Sequence, residues 1–223
     1  MSTGRWLLVG ALGVETAPLM RRLKGARPHS TRLVLGRLDD VEVGILTVGV
    51  GPDKAYRRAR AALELWEPMR VLSFGTCGAL VDGLMEGALV TAHRISGPDG
   101  SGVDVKPLPS FRAVDVVTVE VPVWTADRRE ELAGVGHDVV EMEAYAVWQA
   151  VRAHSSDLPF AALKVVSDQA GGVPDPALDA DVTPNQGRRA IKIAQFKARA
   201  LKLSETKMAP AVLGLINTRS ASG

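Results

Sequence analysis

The stretch Trp6-Leu7-Leu8-Val9-Gly10-Ala11-Leu12-Gly13-Val14-Glu15 decides the fold. Its apolar run has no polar interruption, so it reads as a short strand without a wet face. Gly10 and Gly13 then turn the chain, and Glu15 opens a helix-like segment over residues 15–23. The same alternation recurs downstream. Apolar runs at 32–35, 43–48, 71–74 and 88–92 have strand length, and helical patterns cover 52–66, with Pro52 in its first turn, 143–154 and 185–203. Strands without a wet face need helices on both sides, which predicts an α/β layered domain. Residues 97–110 and 170–187, rich in Gly, Pro, Asp and Ser, read as loops.

The chain has 223 residues, 46% of them hydrophobic, enough for one sizeable core, and residues 1–223 are read as a single domain. Residues 205–223 read as a C-terminal tail, mostly small and polar from 215 and expected to fray. With 27 basic against 25 acidic residues the net charge is +2, which supplies no field for nucleic acid or a membrane surface. A small-molecule partner is expected. No leader-like segment opens the chain and no apolar run approaches the roughly 20 residues of a membrane span. The lone Cys77 has no disulfide partner within the chain. A cytoplasmic setting is therefore expected.

Five segments can carry chemistry. The turn Gly10 to Glu15 lets a ligand approach the backbone and places a carboxylate beside it, although on spacing alone the plainer reading is that Glu15 complements a helix dipole. Thr47-Val48-Gly49-Val50-Gly51-Pro52 and Gly75-Thr76-Cys77-Gly78 repeat the strand-to-glycine pattern. Neither has the spacing of a phosphate-cradling or dinucleotide loop. Ligands in open α/β sheets gather at strand ends, so the three turns are expected to line one crevice. In Val140-Glu141-Met142-Glu143-Ala144 two carboxylates interrupt an apolar run, and at least one must face a polar cavity or ligand. A ribose diol suits it, because a carboxylate accepts from two hydroxyls at once. For Glu141 a helix-start carboxylate fits equally well. The last segment, Phe160 to Asp168, is a buried-looking strand ending in Ser167-Asp168. Burial would let Asp168 hold a proton as a general acid; alternatively it only shapes the turn. The four histidines lack metal-ligand spacing and no nucleophile elbow is present, so neither a metal nor another cofactor is expected.

In this order, the five segments resemble the purine nucleoside phosphorylase superfamily, and within it the methylthioadenosine/S-adenosylhomocysteine nucleosidases with their futalosine hydrolase and hopanoid-associated relatives. The likeness runs over about residues 6–95 and 118–170. It implies a three-layer αβα sandwich around a twisted mixed sheet that curls towards a barrel, assembled as a homo-oligomer, dimer or hexamer. It also implies site roles. Glu15 would activate the attacking water, Glu143 would hold the ribose hydroxyls and Asp168 would protonate the purine at N7. Gly10, Gly51, Thr76, Cys77, Gly78, Glu141, Met142 and Ser167 would complete the substrate site. The implied partners are a purine nucleoside and water.

One departure bears on the reaction. Phosphorylases of the superfamily carry a phosphate-binding arginine two residues before the Gly-Ser/Thr-x-Gly turn, and here that residue is Ser73. Arg94, Lys164 or a residue of a neighbouring subunit could stand in. A carboxylate at position 15 repels phosphate and accepts a proton from water, so hydrolysis is expected over phosphorolysis. Phosphorolysis is the alternative; a nucleoside-binding protein without catalysis is the alternative of another class. The short stretch between Ile95 and Thr118 carries no recognisable 5′-group contacts.

Overall fold

A computed structural model describes residues 4–170 and 186–220. β1 is Trp6–Gly10, buried at every position. Successive side chains of a strand point to opposite faces, and here both faces are apolar: Leu7 and Val9 join one cluster, Trp6 and Leu8 the other. β4 (Val41–Thr47), β5 (Arg70–Ala79) and β10 (Phe160–Asp168) divide in the same way, with Val71, Ala162 and Val166 on the first face and Ile45, Leu72, Phe74 and Leu163 on the second.

Helices cover each face. α2 (Pro52–Trp66) and α4 (Ala144–His154) lie on the first, α2 through Ala55, Ala59, Ala62 and Leu63, α4 through Val147, Ala150 and Val151. The alanines let α2 approach the sheet and α4 closely. The second face is covered by α1 (Gly13–Met20) through Leu19, by the end of α5 (Gln186–Leu203) through Leu203, and by a π-helical turn (Ser204–Met208) that runs into α6 (Ala209–Ser220). This is the three-layer arrangement expected.

The remaining strands are β2 (Lys24–Pro28), β3 (Leu33–Leu38), β6 (Leu89–Ser96), β7 (Gly102–Asp104), β8 (Arg112–Thr118) and β9 (Val139–Glu141); α3 is Ala126–Gly134. The sheet order is β10-β6-β8-β9-β5-β1-β4-β3-β2, β7 pairs with β6, and β10 pairs again with β5. That last pairing closes β5, β9, β8, β6 and β10 on themselves, so half of the sheet is a small barrel. The pairs β1–β4, β1–β5 and β5–β10 are parallel, which brings the C-terminal ends of β1, β4, β5 and β10 to one edge.

Several elements differ from the sequence reading. β2 is exposed throughout and has no apolar alternation to signal it. β7 forms inside the expected 97–110 loop by pairing Ile95 with Val103. Most of the expected 170–187 loop lies outside the described residues. In place of a tail from residue 205, the chain stays helical, with Met208, Val212, Leu215 and Ile216 packed on the sheet. Their spacing is helical, but the small, polar residues that follow mask it. None of the described helices is long and apolar enough to cross a membrane.

Candidate active site

The turns after β1, β4 and β5 are tied to one another. Val48 N–H donates to the Gly10 carbonyl at 2.9 Å and Gly49 N–H to the Ala11 carbonyl at 2.8 Å. The hydroxyls of Thr16 and Thr47 lie 2.9 Å apart. Gly10 is buried in this junction, where a Cβ would sit 2.8 Å from the Thr16 methyl.

Glu15 bridges the first turn to the third. Its Oε1 accepts from both the backbone N–H and the hydroxyl of Thr76, each at 2.9 Å, while Oε2 accepts the Leu12 N–H at 2.9 Å. The side chain thus caps its own helix and also reaches β5, so both readings of Glu15 describe part of its contacts. Gly75 makes this approach possible: a Cβ there would stand 3.0 Å from Oε1. A carboxylate has about four lone-pair positions. Oε1 uses two and Oε2 one, leaving one acceptor site on Oε2.

Glu141 and Glu143 are separated by one residue and serve different ends. Glu141 accepts from Glu143 N–H at 3.1 Å, from Ala144 N–H at 2.9 Å, from the Thr118 hydroxyl, and from Lys164 Nζ at 2.7 Å. Its side chain is 1% exposed and that of Lys164 3%. Its acceptor capacity is spent inside the protein, so the structure places Glu141 as the cap of α4 and the counter-ion of Lys164. Burial pulls the Lys164 ammonium down, but Glu141, then Glu143 and Glu15, outweigh it and hold the group above its ordinary value.

Among the described residues the Glu143 carboxylate accepts one hydrogen bond, from Gly51 N–H at 3.0 Å. Gly51 has φ +100°, a backbone state that favours glycine, and this state turns its N–H to the carboxylate. Burial first, and the charge of Glu141 second, push the Glu143 carboxyl up to about 8. It is the least satisfied of the three buried carboxylates and keeps free acceptor positions for a ligand. Met142 between them is partly buried beside Leu132 and Val140.

Asp168 ends β10 opposite Gly78. Ser167, itself buried, has its hydroxyl 2.6 Å from Asp168 Oδ1 and 3.1 Å from the Cys77 carbonyl. Asp168 Oδ2 is ion-paired with Arg129 of α3, and the aspartate side chain is 28% exposed. The sequence reading invoked burial alone around Asp168; the structure adds a buried guanidinium. Cys77 is buried in the first core cluster, and burial pushes its thiol far up, so it supplies a carbonyl and a small side chain rather than a thiolate.

Four of the five segments therefore meet at the C-terminal ends of parallel strands, as expected for an α/β sheet, and the fifth, at the end of β9 antiparallel to β5, joins them through Glu143 and Gly51. A surface groove of about 780 Å³ between α2 and α4, lined by Tyr56, Arg57, Trp148 and Arg152, contains none of these carboxylates. Volume alone does not mark the site; the converging polar groups do. Sequence reasoning missed Arg129 and Thr118 and named Lys164 only as a substitute phosphate ligand. Lys164 does carry a signal, a charge inside an apolar strand, which demands a buried partner.

A search of curated proteins finds no match for the sequence. In structure the chain is similar to the 5′-methylthioadenosine/S-adenosylhomocysteine nucleosidase of Colwellia psychrerythraea 34H in complex with adenine, at TM-score 0.77 and 16% identity over 96% of this chain and 95% of the other. It is also similar to the S-adenosylhomocysteine nucleosidase of Streptococcus pyogenes in complex with 5-methylthiotubericidin (0.74, 19%, covering 99% and 97%). A futalosine hydrolase mutant of Helicobacter pylori strain 26695 is similar too (0.72, 14%, covering 98% and 99%). At these identities the likeness establishes the fold. The family described as the Phosphorylase superfamily matches residues 5–114 and 106–202, and the chain belongs to it.

Proposed function

We propose that this protein hydrolyses the N-glycosidic bond of a purine nucleoside, with a 5′-substituted adenosine as the expected substrate. The observation that carries the reading is the convergence of Glu15, Glu143 and Asp168 from separate segments around the turns that end β4 and β5. Glu15 Oε2, with its open lone pair, accepts a proton from water. The water oxygen bonds to the anomeric carbon as the glycosidic bond breaks and its electron pair leaves with the base. Asp168, having taken up a proton from solvent on Oδ1, the oxygen away from Arg129, transfers it to N7, so that a neutral purine departs. Glu143 accepts from the ribose hydroxyls and holds the ring as it gains positive charge. The proton taken by Glu15 and that given by Asp168 balance through solvent.

Two observations favour water over phosphate. Ser73, at the position of the superfamily's phosphate-binding arginine, is buried and uncharged. Of the two cations in this chain considered as replacements, Lys164 is held by Glu141 in a buried pair, and Arg94 pairs on the surface with Asp104 at 3.0 Å. The 5′-substituent is proposed from the first of the solved neighbours, named a 5′-methylthioadenosine/S-adenosylhomocysteine nucleosidase. The test is a panel of purine nucleosides with varied 5′ groups, with free base and sugar identified by chromatography. Release of base from 5′-substituted adenosines is expected; no base released from any member contradicts the proposal.

A further inference from the structure

Arg129 belongs to the run Asp127-Arg128-Arg129-Glu130-Glu131 on α3, a pattern that reads as a wet helix face. Arg128 behaves so and pairs on the surface with Glu131. Arg129 instead turns inward, with a side chain only 6% exposed. Its Nη1 donates to the carbonyls of Ala79 at 3.3 Å and Gln169 at 3.2 Å, the residues that end β5 and follow Asp168. Nη2 meets Asp168 Oδ2. Nε is buried and has no hydrogen-bond partner among the described residues. A guanidinium this deeply buried needs a charged partner, and Asp168 is that partner. Gly78 leaves the room: a Cβ there would lie 3.0 Å from Asp168 Oδ2 and 3.4 Å from Arg129 Nη2.

We propose that Arg129 is a positioning residue for Asp168: anchored on the two backbone carbonyls beside the aspartate, it fixes the carboxyl group from behind while Ser167 fixes it from the side. The inference rests on the hydrolase reading above. When the Asp168 proton passes to N7 and the glycosidic electron pair leaves with the base, the aspartate is left as a carboxylate facing a fixed positive charge. That charge stabilises the state in which the base departs more than the bound substrate, which is the condition for accelerating the step. Arg129 therefore acts on leaving-group departure and not on ribose binding.

The test compares wild type, Arg129→Met and Arg129→Lys on a purine nucleoside that the wild type cleaves, and on p-nitrophenyl riboside, whose leaving group departs without a proton. Arg129→Met is expected to lower kcat on the purine nucleoside by roughly a hundredfold with KM within about threefold, and Arg129→Lys to recover at least about tenfold of that loss. On the nitrophenyl riboside the Met variant should stay within about threefold of wild type. Thermal unfolding reports whether each variant folds, and if the Met variant does not, the Lys variant carries the comparison with wild type. Purine turnover unchanged in a folded variant, no recovery by lysine, or equal losses on both substrates overturns the inference and leaves the hydrolase reading intact. A wild type that releases no base overturns that reading, and the inference falls with it.

Discussion

Glu15 and Thr76 are joined by two hydrogen bonds of 2.9 Å, both onto the same carboxylate oxygen. The pair locks the first glycine turn against the third and leaves the other oxygen, Oε2, with an open acceptor position. The geometry of the carboxylate proposed to activate water thus depends on a residue 61 positions away.

Glu15→Gln keeps the shape but removes the base. Turnover should fall by about two to four orders of magnitude, the range for a lost general base. Thr76→Val removes only the hydroxyl donor and leaves the backbone N–H, so a smaller loss of roughly tenfold is expected. Steady-state kinetics on both variants checks the order; a larger loss for Thr76→Val than for Glu15→Gln contradicts the assignment.

Glu143 gives the protein a pH signature. Its folded-state carboxyl is pushed up to about 8 by burial and Glu141, against an ordinary 4.5. Between those values the folded protein keeps a proton that the unfolded chain has released. The contribution to stability is therefore complete below about pH 4.5 and is lost as pH rises towards about 8. The melting temperature of wild type relative to Glu143→Gln, which cannot titrate, should fall between pH 5 and 8.5. Parallel curves over that range would count against the buried, charge-strained environment. The same variant should narrow discrimination between ribose and 2′-deoxyribose substrates, because an amide keeps one acceptor oxygen where the carboxyl group offers two.

Lys164→Met strands the Glu141 carboxylate inside the protein. Breaking a buried pair from one side costs about 3–5 kcal/mol, which for a chain of this size lowers the melting temperature by roughly 10 °C. Adding Glu141→Gln to that variant should restore part of the loss. A single variant as stable as wild type in calorimetry would contradict the pairing.

These residues also mark how far the sequence could be read. The central strands were legible because burial on both faces leaves an unbroken apolar run, as in Trp6–Gly10, and α2 because Pro52 and its apolar spacing fix both its start and its inner face. β2 was not, since an exposed edge strand is defined by its partner β3 and not by its own pattern. In the site, the glycine turns and the three carboxylates stood out as residue types out of place. Which of Glu141 and Glu143 turns inward did not, because the chain leaves β9 between them and period-two alternation no longer applies. Arg129 was hidden among neighbouring charges, and its partner lies 39 residues on. Long-range pairing of that kind leaves no local trace.

The central claim, that water and not phosphate receives the sugar, is tested most directly by following base release from a cleaved nucleoside with and without inorganic phosphate and identifying the sugar product. The account predicts the same rate in both conditions and free ribose, or its 5′-substituted form, as the product, because Ser73 offers no charge, Lys164 is held by Glu141 in a buried pair, and Glu15 accepts a proton from water. Base release that occurs only with phosphate, and yields the sugar 1-phosphate, contradicts it.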